Sequence, residues 1–297
     1  MSQPLLRLGC VAAPRHRAVA AALAERLAGA HALVALPMPP GVALPSALVA
    51  ALAEGRVDAA LLPLAGLPPE LPAEAVLACV LPREEARELV LGAPPEGWGA
   101  LAPGTRVCCV HEGSARQVQR LAPHLAVEAT LGDAQHGLAQ WQRGEVPVAV
   151  LPGDSLEPVG AARLGARPLD PGEVLPPPCA GAWGVLVRAD DASSEERIGV
   201  LRDLRTAAAV TAERAAAAAW QACVGEGAGG VLAALATCRG GGVHVRARWL
   251  ATASPGPEAC LEAHGEAPLV AAASAGERAA ALLAGLWAGP RGSLRPR

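Results

Sequence analysis

The chain has 297 residues, a net charge of −3 and 52% hydrophobic residues. That length can bury two or three cores. The charge lacks the basic excess of a nucleic-acid surface, and no unbroken apolar run reaches the roughly 18 residues that cross a bilayer. A globular, cytoplasmic, monomeric protein without nucleic-acid or membrane partners is therefore expected. Leu8-Gly9-Cys10 faintly suggests a lipoprotein cleavage site, but no apolar segment precedes it. Phe and Tyr are absent, so Leu, Val, Ala and the six Trp must fill the interior. The eight cysteines show no Cys-x-x-Cys spacing and read as free thiols.

In chain order, residues 5–12 predict a strand and Arg15 to Leu27 a helix with Val19, Leu23 and Leu27 on one face. Ala32 to Leu36 predicts a strand, Leu44 to Ala53 a helix, and Ala59 to Leu64 a buried strand with a Pro-rich exit. The run Arg83 to Glu88 reads as a solvated helix face. After the Gly92–Pro95 break come a strand (Thr105–Val110), a helix (Ser114–Leu121), a strand (Leu125–Thr130), a helix (Gln135–Arg143) and a strand (Pro147–Leu151). Residues 152–181 read as a Pro/Gly-rich loop returning to the first layer, and Ala182 to Val187 as a strand. Ser194 to Trp220 is an Ala-rich helical region. Two strands, Val231–Thr237 and Val243–Ala251, flank a Gly240-Gly241-Gly242 hairpin turn. Ala275 to Ala288 predicts the last helix and Pro290 to Arg297 a disordered tail. Alternation of strand and helix argues for α/β layers.

Gly55-Arg-Val-Asp-Ala-Ala-Leu-Leu-Pro-Leu-Ala-Gly-Leu-Pro-Pro-Glu-Leu-Pro72 resembles the signature Asp-Ile-Ala-Val-His-Ser-Leu-Lys-Asp-Val-Pro-Thr-Glu-Leu-Pro of the hydroxymethylbilane synthase (porphobilinogen deaminase) family, sharing Asp58, Ala60, Leu64, Pro68, Glu70, Leu71 and Pro72. Leu81 to Val90, Leu169 to Pro178, Gly184 to Asp191 and Ala209-Val-Thr-Ala-Glu-Arg-Ala215 resemble further family segments in order. The resemblance implies three domains. Two are α/β domains like those of periplasmic binding proteins, facing across a cleft, and a smaller α/β domain follows. The implied boundaries are 1–83 with 181–201, then 84–180, then 202–297. It also implies a transferase of tetrapyrrole (haem) biosynthesis that links porphobilinogen units on a Cys-bound dipyrromethane cofactor. Arginines hold the substrate's carboxylates there, and an Asp steers proton transfer.

The reactive positions of that pattern are replaced. The catalytic Asp position is Gly66 and the loop Lys position is Ala65. Aligning Gly-Thr-Ser-Ser-Leu-Arg-Arg-Gln-Ala-Gln with Cys108-Cys-Val-His-Glu-Gly-Ser-Ala-Arg-Gln117 puts Gly113 and Ser114 at the two arginines. Further Arg positions fall on Val11, Leu131 and Pro158, and a Gln position on Ala180. The cofactor Cys position falls on Ala228, with Cys223 as the nearest thiol. The expectation is a fold-retaining pseudoenzyme without dipyrromethane, in which a small molecule occupies the cleft. Two alternatives stay open. One is a working synthase with its cofactor on Cys223 and its carboxylates on Arg116 or Arg143; the other is a non-catalytic ligand-binding or regulatory protein. Cys10, Cys108, Cys109 and Cys179 replace cleft residues beside His111, which suggests either a soft-metal or haem site or small residues filling vacated space. Glu213-Arg214 and Arg188 match the family framework and read as structural ion pairs.

Overall fold

The computed structural model describes residues 5–27, 29–37, 44–65, 67–68, 70–130, 133–225, 229–251 and 260–287. The tail expected to be disordered lies outside them. The elements run β1 (Leu6–Val11), α1 (Pro14–Ala24), β2 (His31–Leu36), α2 (Leu44–Ala53), β3 (Ala59–Pro63), β4 (Ala75–Val80), β5 (Leu89–Leu91), β6 (Arg106–Cys109), α3 (Glu112–Leu121), β7 (Ala126–Ala129), α4 (Ala134–Gln142), β8 (Val148–Leu151), α5 (Pro158–Arg163), β9 (Arg167–Pro168), β10 (Trp183–Arg188), α6 (Ala192–Gly199), α7 (Leu204–Val224), β11 (Gly230–Arg239), β12 (Gly242–Ala251), β13 (Cys260–Pro268) and α8 (Ala272–Trp287). The architecture is mixed α/β. Met1–Arg83 with Ala182–Ala207 form one compact unit, and Glu84–Gly181 with Ala208–Arg297 a second.

The first unit holds a five-stranded sheet of order β2-β1-β3-β10-β4. β1 runs parallel to β2 and β3, and β10 runs antiparallel to β3 and β4. Buried strands of such a layer carry apolar residues on both faces, and Ala59, Ala60, Leu61 and Leu62 are all fully buried. The second unit repeats the plan: β7-β6-β8 are parallel neighbours, and β5 pairs antiparallel with β8 and β9. The same unit contains an antiparallel sheet, β11-β12-β13. Its hairpin turns at Gly240 and Gly241, whose φ values of 56° and 79° suit a residue without Cβ.

The antiparallel sheet packs one face on α7 and α8, where Trp220 and Trp287 flank Trp249 with ring centroids 5.7 and 4.5 Å away. Leu269–Trp287 is long and apolar enough to cross a membrane by length and composition. Its Ala272, Ala275, Ala279 and Leu283 are buried in this core. A Cβ on Gly276 would collide with the Ala212 carbonyl oxygen, so glycine alone permits this approach of α8 to α7.

Several sequence expectations need correction. Arg83 to Glu88 forms no helix. Its amides bond at long range instead: Arg83 N–H donates to Thr206 Oγ1 and Glu84 N–H to Gly181 O. Glu88 is only 1% exposed. Residues 152–181 are not all loop, because Pro158 opens α5 at a position suited to proline and β9 adds a short edge. The Ala-rich region splits into α6 and α7. Asp203 stops between them and caps the second, its carboxylate accepting from Thr206 N–H at 2.7 Å. β4 and β13 were not anticipated. β13 alternates Glu262, His264 and Glu266 outward with Ala263, Gly265 and Ala267 inward, a strand pattern masked by small residues of low β-propensity.

Candidate functional site

In an α/β sheet, ligands gather beyond the carboxyl ends of parallel strands, where a helix N-terminus points in. In the second unit that place lies after β6 and β8. There α3 begins at Glu112, with His111 as its N-cap residue and no side-chain cap. Acidic side chains of the segment before β5 and of the turn after β8 join it. Gly153 makes the join possible, because a Cβ there would collide with the Arg87 carbonyl oxygen.

Glu88 is the centre of the cluster. Its Oε1 accepts from His111 Nδ1 at 2.7 Å and from Ser114 Oγ at 3.0 Å. Its Oε2 is buried and has no hydrogen-bond partner among the described residues. Burial would lower the basicity of His111, but the hydrogen bond and charge of Glu88, with Asp154 behind, overcome it and raise the imidazole. Asp154 is pushed up to about 6, first by burial and then by the charge of Glu84, against an opposing pull from His111. Cys109 is held well above an ordinary thiol by burial, with Glu88 adding to it. The His111 side chain is 30% exposed. Chemically this is a proton-holding group of carboxylates and one imidazole.

Of the anticipated positions, Gly113 and Ser114 fall on the first turn of α3, and Ser114 turns its hydroxyl into Glu88. Val11 ends β1, Ala65 follows β3, and Pro158 opens α5. Gly66, Leu131 and Ala228 lie outside the described residues. Arg116 pairs with Glu112 at 2.7 Å and also reaches the Ala251 carbonyl. Arg143 caps α4 and pairs with Glu145 at 2.5 Å. Cys223 is exposed on the last turn of α7. Ala180 is buried.

Cys10 lies in the first unit, and Cys108, Cys109 and Cys179 lie in the second. Cys108 Sγ donates to Gln140 Oε1 at 3.3 Å, and Cys179 N–H donates to Glu213 at 2.6 Å. Among the described residues no group of three or more His, Cys, Asp or Glu is placed to hold a metal ion. His111 serves Glu88 instead. Glu213 is fully buried, its carboxylate accepting backbone N–H from Cys179 and Ala236, while Arg188 pairs with Asp191 at 3.0 Å. Sequence reasoning missed Glu88 and Asp154. The available signal was position: Glu88 directly precedes a short apolar strand, and Asp154 follows the Pro152-Gly153 exit of another.

Residues 44–196 match the family described as "Porphobilinogen deaminase, dipyromethane cofactor binding domain". The porphobilinogen deaminase of Paraburkholderia phytofirmans is 33% identical over 235 residues, covering 79% of this chain and 66% of the relative. That of Paraburkholderia phymatum is 30% identical over 218 residues, covering 73% and 64%. The match thus spans about two thirds of the length of these relatives. Among solved structures, an ancestral cationic amino acid solute binding protein aligns with TM-score 0.43 and 14% identity over 66% of this chain and 87% of that one. The methionine binding protein MetQ aligns with TM-score 0.41 and 12% identity over 66% and 89%.

Proposed function

The chain belongs to the porphobilinogen deaminase family, and from that premise we propose that it is a non-catalytic member: a cytoplasmic, monomeric protein of tetrapyrrole metabolism that binds a small molecule or regulates, and does not polymerise porphobilinogen. The observation that carries this reading is the first turn of α3. Where the family resemblance puts two carboxylate-binding arginines, this chain has Gly113 and Ser114, and Ser114 is spent on a buried carboxylate, Glu88.

Dipyrromethane bears acetate and propionate groups, and the residues here do not suit them. Glu84, Glu88 and Asp154 already gather carboxylates at this helix start, and Asp154 is pushed up to about 6 first by burial and then by the charge of Glu84. Like charges at such range repel each other in a low-dielectric site. Arg116 and Arg143, the substitutes the sequence offers, are engaged by Glu112 and Glu145. Each lost charge-assisted contact removes about 1.5–3 kcal/mol. The sequence also lacks an acid at position 66, and losing a positioned acid/base group slows a reaction roughly 100- to 10,000-fold.

The test is the intact mass of the purified chain together with a porphobilinogen consumption assay. We expect the mass of the bare polypeptide and no turnover. Covalent dipyrromethane on any cysteine, or steady consumption, would overturn the reading. The exposed Cys223 favours a second reading, a working synthase with its cofactor at that thiol, and peptide mapping of a modified chain would identify it.

A further inference from the structure

The face of the β11–β13 sheet turned away from α7 and α8 carries polar side chains that the proposed function does not use. A pocket of about 430 Å³ opens on it, within the size range of small-molecule sites. Its apolar lining includes Pro171, Leu175 and Leu235, and its polar lining includes Arg246, His264 and the pair of His244 with Glu266 at 2.9 Å.

The wall formed by residues 171–175 is fixed in place. Gln117 bonds both the N–H and the C=O of Leu175 at 2.8 Å. Arg248 donates to the carbonyls of Gly172 and Glu173 at 2.9 and 3.0 Å. A pocket preformed in this way costs little ordering when it binds.

Arg246 carries the strong donors of the described lining. Its Nε donates to Glu262 at 2.7 Å, and among the described residues its Nη1 and Nη2 make no hydrogen bond. Two terminal nitrogens of a planar fork suit a carboxylate bidentately. Glu262 does not cancel this cation, because it also takes Arg248 at 2.6 Å and lies 3.4 Å from His264. The hydrogen bonds from the two arginines outweigh the burial of Glu262 and hold it below the usual carboxylate range.

We propose that this pocket is a binding site for a small planar carboxylate of one or two rings, its carboxylate on the Nη atoms of Arg246 and its ring against Leu175 and Leu235. The site stands independently of the proposed loss of porphobilinogen chemistry, so either idea can fail alone.

The test is calorimetric titration of the full chain with 2-naphthoate, with uncharged 2-naphthamide as the control. Saturable 2-naphthoate binding at one site is expected, at least tenfold weaker for the amide. Arg246→Gln should weaken it tenfold or more, and Leu235→Trp, which fills the pocket from the apolar side, should abolish it. Circular dichroism confirms that each variant folds. If Arg246→Gln does not fold, Leu235→Trp and the amide control decide the matter. No binding of 2-naphthoate, equal binding of the amide, or binding unchanged in the folded variants would overturn the proposal.

Discussion

Glu88 is a buried carboxylate whose Oε1 takes two donors and whose Oε2 takes none among the described residues. Glu88→Ala removes the acceptor for His111 and Ser114 at once, and an abandoned buried donor costs about 1–3 kcal/mol. Denaturant unfolding should register a loss of that order. Asp154 gives a prediction of opposite sign. A carboxyl raised to about 6 when folded binds its proton more tightly folded than unfolded. Its contribution therefore favours the fold at low pH and is lost as pH rises from the ordinary carboxyl value of about 4 through about 6. Asp154→Asn should raise the thermal midpoint at pH 8 and change it little at pH 4. A variant no more stable at pH 8 would contradict this. His111 is raised by Glu88, so its stabilisation is complete below the ordinary imidazole value and fades as pH climbs through the higher folded value. In Glu88→Gln the His111 titration, followed by NMR, should shift down toward the ordinary value.

Among the elements, the α7–α8 contact depends on the absence of one side chain. A methyl at Gly276 would meet both the Ala212 carbonyl oxygen and, at 2.6 Å, the Ala216 amide nitrogen. Backbone atoms in a helix cannot step aside as a side-chain tip can. Gly276→Ala should thus cost on the order of 1–3 kcal/mol, the usual range for overpacking, and Gly285→Ala should cost nothing by the same route, because nothing lies within 4 Å of that position. Comparing the two thermal midpoints checks this. Elements with clear periodicity were readable: α1, α2, α3, α4 and the strands β1, β2, β3, β6, β8 and β10 all fall inside their predicted stretches or within a residue or two of them. β13 was not readable, since Ala and Gly fill its inward positions and charged residues its outward ones. α5 was hidden by Pro and Gly around it, although Pro158 itself is a good first residue for a helix.

Across the molecule, Arg248 ties the antiparallel sheet to the rest of the second unit. It is 8% exposed and donates to Gln117 on α3, to two carbonyls of the 171–175 wall, and to Glu262. Cutting one member of such a buried network costs about 3–5 kcal/mol, because the others keep their desolvated charge and lose its partner. Arg248→Met should therefore separate the unfolding of residues 208–297 from that of 84–181, seen as two transitions where the parent chain shows one for this unit. A single unchanged transition would sink the idea.

The sequence by itself determined the family, the α/β class, and the absence of the expected Asp, Lys and Arg at the positions the resemblance names. These are statements about residue identity and local period, which the chain carries linearly. The tertiary structure decided what stands near those positions. In the run Arg83 to Glu88 nothing separates Glu88 from its acidic neighbours, and only the meeting of three distant segments removes it from water. Asp154 comes under the charge of Glu84, about seventy residues earlier, for the same reason. Electrostatic environment is set by through-space distance and burial, and neither is encoded in spacing along the chain.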